Sequence, residues 1–344
     1  MARPLRIEYP GAAYHVMARG NQGGAIFKDD RDRKRFLETL AEACAKTGWQ
    51  IDAYVLMGNH YHLLVATPGG NLVAGMKWLQ GTYTQRYNRR HQIFGHLFQG
   101  RYKAVVVDAQ DANYLQVVST YIHLNPARSG LVGPGRAALK RYRWSSYPWY
   151  LSPQCPVWLR REVVLGSLGL RPGDRRGYAA YLEGRVLELG REAGREACER
   201  SWQAIRRGWY LGNESFLEKL EGGLARAIAG RRRESHQRAA RERQDTAAAE
   251  RLLRAGLKTL GLTEAQLAKL AKGAPEKVAL AWWLRGRTTV TLRWVGERRG
   301  MGHYTRVTQA VGRMRRKPAR KLAALARKLS ALAEKETAEP PALP

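Results

Sequence analysis

Three features of the 344-residue sequence predict an α+β fold: an antiparallel sheet with helices on one face, followed by an all-α region. Apolar runs of strand type interrupt helical periodicity in the order β-α-β-β-α-β-α, the split βαβ class. Glycine-containing turns punctuate those runs. After residue 150 strand-like runs give way to helical and highly charged segments.

Residues 12–19 (Ala-Ala-Tyr-His-Val-Met-Ala-Arg) predict the first strand, stopped by Gly20-Asn21 and Gly23-Gly24. From Asp29 to Lys46, Phe36, Leu37, Leu40, Ala41 and Cys44 recur at helical spacing, and Gly48 ends the run. Trp49 to Leu56 and His60 to Ala66 read as two strands joined at Gly58-Asn59, a hairpin-type turn signal. A helix follows from Leu72 to Asn88, with Met76, Leu79, Tyr83 and Tyr87 on one side. Phe98 to Val107 reads as a fourth strand with a basic start, and Asp111 to Asn125 as a helix stopped by Pro126. Pro148, Pro153 and Pro156 mark the end of this first domain, residues 1–150. Residues 151–260 read as a helical connector without an evident motif, highly charged from 230 onward. Residues 261–335 form a compact helical domain, and 336–344 a disordered tail.

Sixty Lys and Arg against 29 Asp and Glu give a formal charge of +31. That excess points to a polyanionic partner, nucleic acid first. No long uncharged apolar stretch, lipidation motif or signal peptide is present, and Cys44, Cys155 and Cys198 are scattered. The expectation is a cytoplasmic, nucleoid-associated protein with no membrane partner.

His60-Tyr61-His62 carries the first chemistry. A strand sends alternate side chains to one face, so both imidazoles aim at one point. Two neutral imidazoles supply half of a divalent-metal site. On the 111–125 helix Tyr121 and Asn125 lie one turn apart on one face. If that face meets the histidines, two imidazole nitrogens and the Asn125 amide oxygen hold a divalent ion. Tyr121 then stands beside it with its phenolic oxygen free. The ion polarises a phosphodiester, and the phenol acts as covalent nucleophile. A phenolic pKa of about 10 calls for a base that no residue identifies itself as. Each residue has a plainer reading: Tyr121 as a core tyrosine, Asn125 as a helix stop, and Tyr114 as the competing nucleophile. His15, His91, His96 and His123 read as satisfied or surface histidines.

Together with Tyr121-Ile-His-Leu-Asn-Pro-Ala-Arg128, Phe98-Gln-Gly-Arg-Tyr-Lys103 and Tyr14-His-Val-Met-Ala-Arg-Gly-Asn21, the histidine pair resembles the REP-associated tyrosine transposases. These belong to the single-tyrosine branch of the His-hydrophobic-His endonucleases. The resemblance covers residues 1–150 and implies a ferredoxin-like catalytic fold, Mg²⁺ or Mn²⁺ dependence, and cleavage of single-stranded DNA near a hairpin. It further implies a 5′-phosphotyrosine intermediate and a free 3′-hydroxyl. By motif, Tyr121 is the nucleophile, His60 and His62 are ligands, and Asn125 is the third ligand. Relatives among the short insertion-sequence transposases carry Gln at that last position. Here the shorter Asn precedes Pro126, which disfavours helix at residue 125. Whether Tyr121 serves its own subunit's ion or that of a homodimer partner stays open.

Around the site Arg19, Asn21, Arg101 and Lys103 are candidate phosphate contacts, and Tyr102 and Tyr83 candidate stacking platforms for unpaired bases. In the C-terminal domain, Glu276–Arg285, residues 291–299, Gly300-Met-Gly302 and residues 303–316 form a helix, a second short helix, a turn and an Arg-rich helix. That is the pattern of a helix-turn-helix, and over some forty residues it resembles the DNA-binding domain of the bacterial replication initiator. Tyr304, Thr305, Arg306, Thr308 and Gln309 would begin a recognition helix, with Arg313, Arg315 and Arg316 on phosphate. The sequence therefore predicts a metal-dependent DNA strand transferase that also docks a duplex. A non-catalytic duplex-binding regulator and a rolling-circle-type initiator remain as rivals.

Overall fold

The computed structural model describes residues 7–133, 138–228, 235–288, 290–315 and 318–338. The chain forms two compact units, residues 1–229 and 230–344, where the sequence suggests three segments and a tail.

In the first unit β1 (Ala12–Arg19), α1 (Asp30–Thr47), β2 (Gln50–Leu56), β3 (His60–Thr67), α2 (Leu72–His91), β4 (Lys103–Val107) and α3 (Ala112–Arg128) follow the expected order. Asp29 caps α1, accepting from the Arg31 and Asp32 amides, and Gly48 ends it at φ 70°. The 57–59 turn is closed by Met57 N–H on the His60 carbonyl at 2.8 Å. β4 is shorter than expected, because residues 98–102 leave the ladder after a single bridge between Phe98 and Gly20.

The strand order is β2-β3-β1-β4-β5, with the first four strands antiparallel. β5 (Tyr210–Leu211) runs parallel to β4 and makes the sheet mixed. Trp209 and Leu211 carbonyls accept from the Val106 and Asp108 amides at 3.0 and 2.8 Å. Two residues inside a helical stretch carry no strand periodicity, so the sequence reading passes over them.

The expectation of helices on one face holds for α1 and α2, whose Phe36, Leu40, Met76 and Leu79 pack on Tyr14, Val16, Tyr61 and Leu63. The opposite face is covered as well. There α3, α5 (Glu162–Ser167), α6 (Arg175–Gly190) and α7 (Glu192–Arg207) pack Leu115, Val118, Leu182 and Trp202 with Ala13, Val55, Leu64 and Val105. A short α4 (Tyr147–Tyr150) precedes them and α8 (Glu214–Ile228) closes the unit. Coverage on both sides explains why β2 and β3 read as nearly unbroken apolar runs.

α3 does not stop at Pro126 but continues to Arg128, so Asn125 is helical. Proline removes one amide donor near the helix end. Ser129 and Leu131 amides still take up the Asn125 and Pro126 carbonyls at 3.0 and 2.9 Å. The helix is fixed about its axis by His123. Its Nδ1 meets the Tyr178 hydroxyl and its Nε2 the Ser146 hydroxyl, both at 2.6 Å. Ser146 Oγ also accepts from the Tyr54 amide of β2 at 2.8 Å.

The second unit is all-helical: α9 (Ser235–Leu260), α10 (Glu264–Lys269), α11 (Pro275–Arg287), α12 (Leu292–Arg298), α13 (Thr305–Arg315) and α14 (Arg320–Ala338). Leu253, Leu280, Trp283, Val295, Val307 and Leu329 form its core. Thr263 and Gln266 make a reciprocal capping box on α10. The segment expected as a tail begins inside α14, and residues 339–344 lie outside the described residues.

Burial pushes the His123 imidazole down to about 3 from its ordinary 6.5. The unfolded chain therefore takes a proton that the native state refuses as pH drops below 6.5, and stability falls until pH nears 3. Unfolding free energies across this window are expected to fall by about 1.4 kcal/mol per pH unit for this one group. In His123→Gln the slope is expected to be shallower by that amount, as read from urea melts at stepped pH.

Candidate active site

β3 places His60 and His62 on the α3 side of the sheet and Tyr61 among the α1–α2 aromatics. The two imidazole rings lie 5.2 Å apart, perpendicular to one another. In the β1–β3 ladder His60 faces Arg19 and His62 faces Met17. α3 brings Tyr121 over them, its ring 5.4 Å from that of His62 and 5.6 Å from that of His15 in the same chain. Asn125, one turn further, has its side chain beside the His60 ring, where it raises the imidazole pKa, and its Nδ2 is buried without a partner. The structure thus brings together the four residues singled out as nucleophile and ligands. Tyr114 is half-buried against the same core.

Each imidazole is oriented from behind. His62 Nδ1 meets His15 Nε2 at 2.9 Å, the two rings stacked at 5.1 Å. His60 Nδ1 meets Asn59 Oδ1 at 2.7 Å, and Asn59 in turn donates to the Gly23 carbonyl. Such bonds select the tautomer and leave the other ring nitrogen for a ligand. A proton on His62 Nδ1, shared with His15, would leave its Nε2 lone pair available.

Electrostatics keep all three rings neutral. Burial lowers the His62 pKa well below its usual value, with His15, His60 and Arg128 adding to the effect. His15 is pushed down to about 3 by burial and by Lys103. His60 is lowered by burial and by Arg19 and Arg128, against the Asn125 side chain, which raises it. Neutral imidazole is the ligand form. Among the described residues no group of three His, Cys, Asp or Glu is arranged to hold a metal ion. An ion here would rest on two imidazoles and one amide. That set, with the unpartnered amide nitrogen of Asn125 beside it, fits a divalent cation of borderline hardness.

The phenol is not free as the sequence suggests. Tyr121 is only 4 % exposed. Its hydroxyl accepts from Arg128 Nη1 at 3.1 Å, and its ring meets the edge of Trp202 at 5.3 Å. Arg128 also pairs with Glu199 at 3.1 Å. Sequence reasoning missed His15, Asn59, Arg128, Glu199 and Trp202. Arg128 was findable, since residues 121, 125 and 128 form one helical stripe. His15 shares a face with Met17, but only the β1–β3 register sets it behind His62. Glu199 and Trp202 carry no local signal.

Of the DNA-contact candidates, Arg19, Asn21 and Arg101 are exposed and Lys103 is partly so. Tyr102 and Tyr83 are buried in the α1–α2 core, where Tyr83 donates to the Ile26 carbonyl at 2.7 Å. Rings so enclosed offer no face to a base, which corrects their assignment as stacking platforms. In the second unit α13 exposes Tyr304 at its start, then Thr305, Arg306, Thr308, Gln309 and Arg313, while Val307 and Ala310 face inward. Of the other two phosphate candidates, Arg316 lies outside the described residues.

Residues 9–125 match the family model described as "Transposase IS200 like". A solved structure titled "Structure of the REP associates tyrosine transposase bound to a REP hairpin" is similar over 47% of this chain and 93% of that chain. The identity is 13% and the TM-score 0.37. No curated protein matches the chain.

Trp202 is fully buried and walls the Tyr121 ring. Trp202→Ala is expected to cost about 3–5 kcal/mol, through lost transfer energy and the cavity left behind. Urea unfolding monitored by circular dichroism measures it; a loss under about 1 kcal/mol would deny Trp202 this role.

Proposed function

We propose, on the match of residues 9–125 to the IS200-like transposase family model, that the protein cuts and rejoins single-stranded DNA through Tyr121. The carrying observation is the approach of the Tyr121 ring to His62, across from the His60–Asn125 pair, within one chain. His60, His62 and Asn125 would hold a divalent ion, Mn²⁺ or Mg²⁺, with the imidazoles favouring Mn²⁺. When bound, that ion supplies Lewis-acid polarisation of a phosphoryl oxygen.

The chain's own residues account for the remainder. Tyr121 Oη forms a bond to phosphorus as the bond from phosphorus to the 3′-oxygen breaks. The products are a 5′-phosphotyrosine and a 3′-hydroxyl; the phenol sheds one proton to solvent and the leaving oxygen takes one up. Reversal by a 3′-hydroxyl rejoins the strand and restores the phenol. His15 and Asn59 hold the two ligand rings in place. Arg19, Asn21, Arg101 and Lys103 supply phosphate contacts near the histidines, which position a strand without reading its sequence.

The motif resemblance at residues 14–21, 98–103 and 121–128 favours a hairpin-flanked substrate. The exposed row on α13 favours docking of a duplex such as a hairpin stem: Thr305, Thr308 and Gln309 have the chemistry for base edges, and Arg306 and Arg313 for phosphate. A net charge of +31 agrees with a polyanionic partner.

Tyr121→Phe is expected to keep DNA affinity and to yield no denaturation-resistant protein–DNA adduct with Mn²⁺ and hairpin oligonucleotides. An adduct that persists in this variant and vanishes in Tyr114→Phe would move the nucleophile.

His60→Ala and His62→Ala are each expected to abolish cutting with affinity for the oligonucleotide mostly retained. Undiminished cutting by the native protein in EDTA would remove the metal from the proposal.

A further inference from the structure

Helix α7 lies outside the matched segment, yet it supplies a carboxylate, Glu199, that is one ion pair removed from the phenol. Arg128, on the last turn of α3, divides its guanidinium between two oxygens. Nη1 donates to Tyr121 Oη at 3.1 Å, and Nε pairs with Glu199 Oε1, also at 3.1 Å. The guanidinium carbon stands 5.3 Å from the centre of the Tyr121 ring. Both partners of the ion pair are partly exposed, with side-chain accessibilities of 29% and 37%. Such a pair adds little to stability. Its place against the hydroxyl is therefore not explained by folding.

Any phosphodiester attacked by Tyr121 Oη must bring its non-bridging oxygens beside the same guanidinium. A planar fork with several N–H donors is the side chain best matched to phosphate. Glu199 and a phosphodiester each carry one negative charge, so exchanging them leaves Arg128 neutralised throughout. A partly exposed carboxylate returns to water at small cost. With α7 seated, Tyr121 is 4 % exposed and Trp202 lies on its ring, so entry of DNA already requires this helix to yield.

We propose that Arg128 is a catalytic residue that grips a non-bridging oxygen of the scissile phosphate, and that Glu199 holds this anion position until single-stranded DNA displaces it. This rests on the reading of Tyr121 as nucleophile. During transfer the Oη–phosphorus bond forms, the bond to the 3′-oxygen breaks, and Arg128 keeps its proton. α7 is then a substrate-sensitive cover whose carboxylate competes with the strand.

The test uses the full chain as native protein, Glu199→Gln, Arg128→Lys, Arg128→Gln and Tyr121→Phe. The probe is a fluorescent hairpin oligonucleotide with randomised single-stranded flanks. Affinity is read by anisotropy in EDTA, and adduct formation on denaturing gels with Mn²⁺. Thermal melts report folding. Glu199→Gln, an isosteric change, is expected to bind about fivefold tighter at unchanged melting temperature. Arg128→Gln is expected to lose about a hundredfold in adduct rate with a much smaller loss of affinity, and Arg128→Lys to recover part of that rate. Glu199→Gln binding no tighter than native protein overturns the placeholder role, and a native adduct rate in Arg128→Gln overturns the catalytic one. An adduct in Tyr121→Phe would instead sink the nucleophile assignment, whatever the other variants do.

Discussion

The rotational setting of α3 is the constraint from which the site follows, and His123 imposes it. Residues on a helix turn about 100° each, so a slip of one position would carry Tyr121 away from the histidines. His123 points oppositely, into Tyr178 and Ser146, and Ser146 is tied to the β2 backbone. Both ring nitrogens are satisfied in a fully buried setting, where losing either partner costs more than the bond itself contributes. The polar tie on one side of the helix therefore aims the phenol and the amide on the other.

The site concentrates positive potential without charging its imidazoles. His15, His60 and His62 are held neutral by burial, while Arg19, Lys103 and Arg128 surround them. Neutral nitrogens remain able to bind a cation, and the surrounding cations favour an anion in the same space. On the proposed function, a phosphodiester with a divalent counterion would satisfy both demands. Such a site is costly to keep empty of anions, and Glu199 meets part of that demand.

Much of this arrangement was legible in the sequence. The βαββαβ order emerged because turns fall at Gly48 and Gly58-Asn59, and because Phe36, Leu40 and Cys44 keep helical spacing. Period-two alternation placed His60 and His62 on one face, and the i,i+4 relation placed Tyr121 with Asn125. What escaped depends on contacts between distant segments. His15 reaches His62 only through strand register, and Trp202 reaches Tyr121 and Glu199 reaches Arg128 only after α7 folds back on α3. Tyr83 and Tyr102 were misread because aromatic residues beside basic ones look alike whether they stack on a base or fill a core. Pro126 reads as a stop in the sequence, although near a helix end it deletes one donor and leaves the turn intact.

A sheet walled on both sides sets how the molecule can be divided. Ending the chain at residue 125 or 150 would strip Val164, Leu165, Leu182, Trp202 and Ile205 from the wall over Val105, Val107, Leu115 and Ile122. It would also remove the short ribbon at Tyr210–Leu211 and bare the hydrogen-bonding rim of β4. A greasy surface and an open rim together invite clumping. The smallest transplantable portion of this protein thus extends past residue 211, well beyond the stretch matched by the family model.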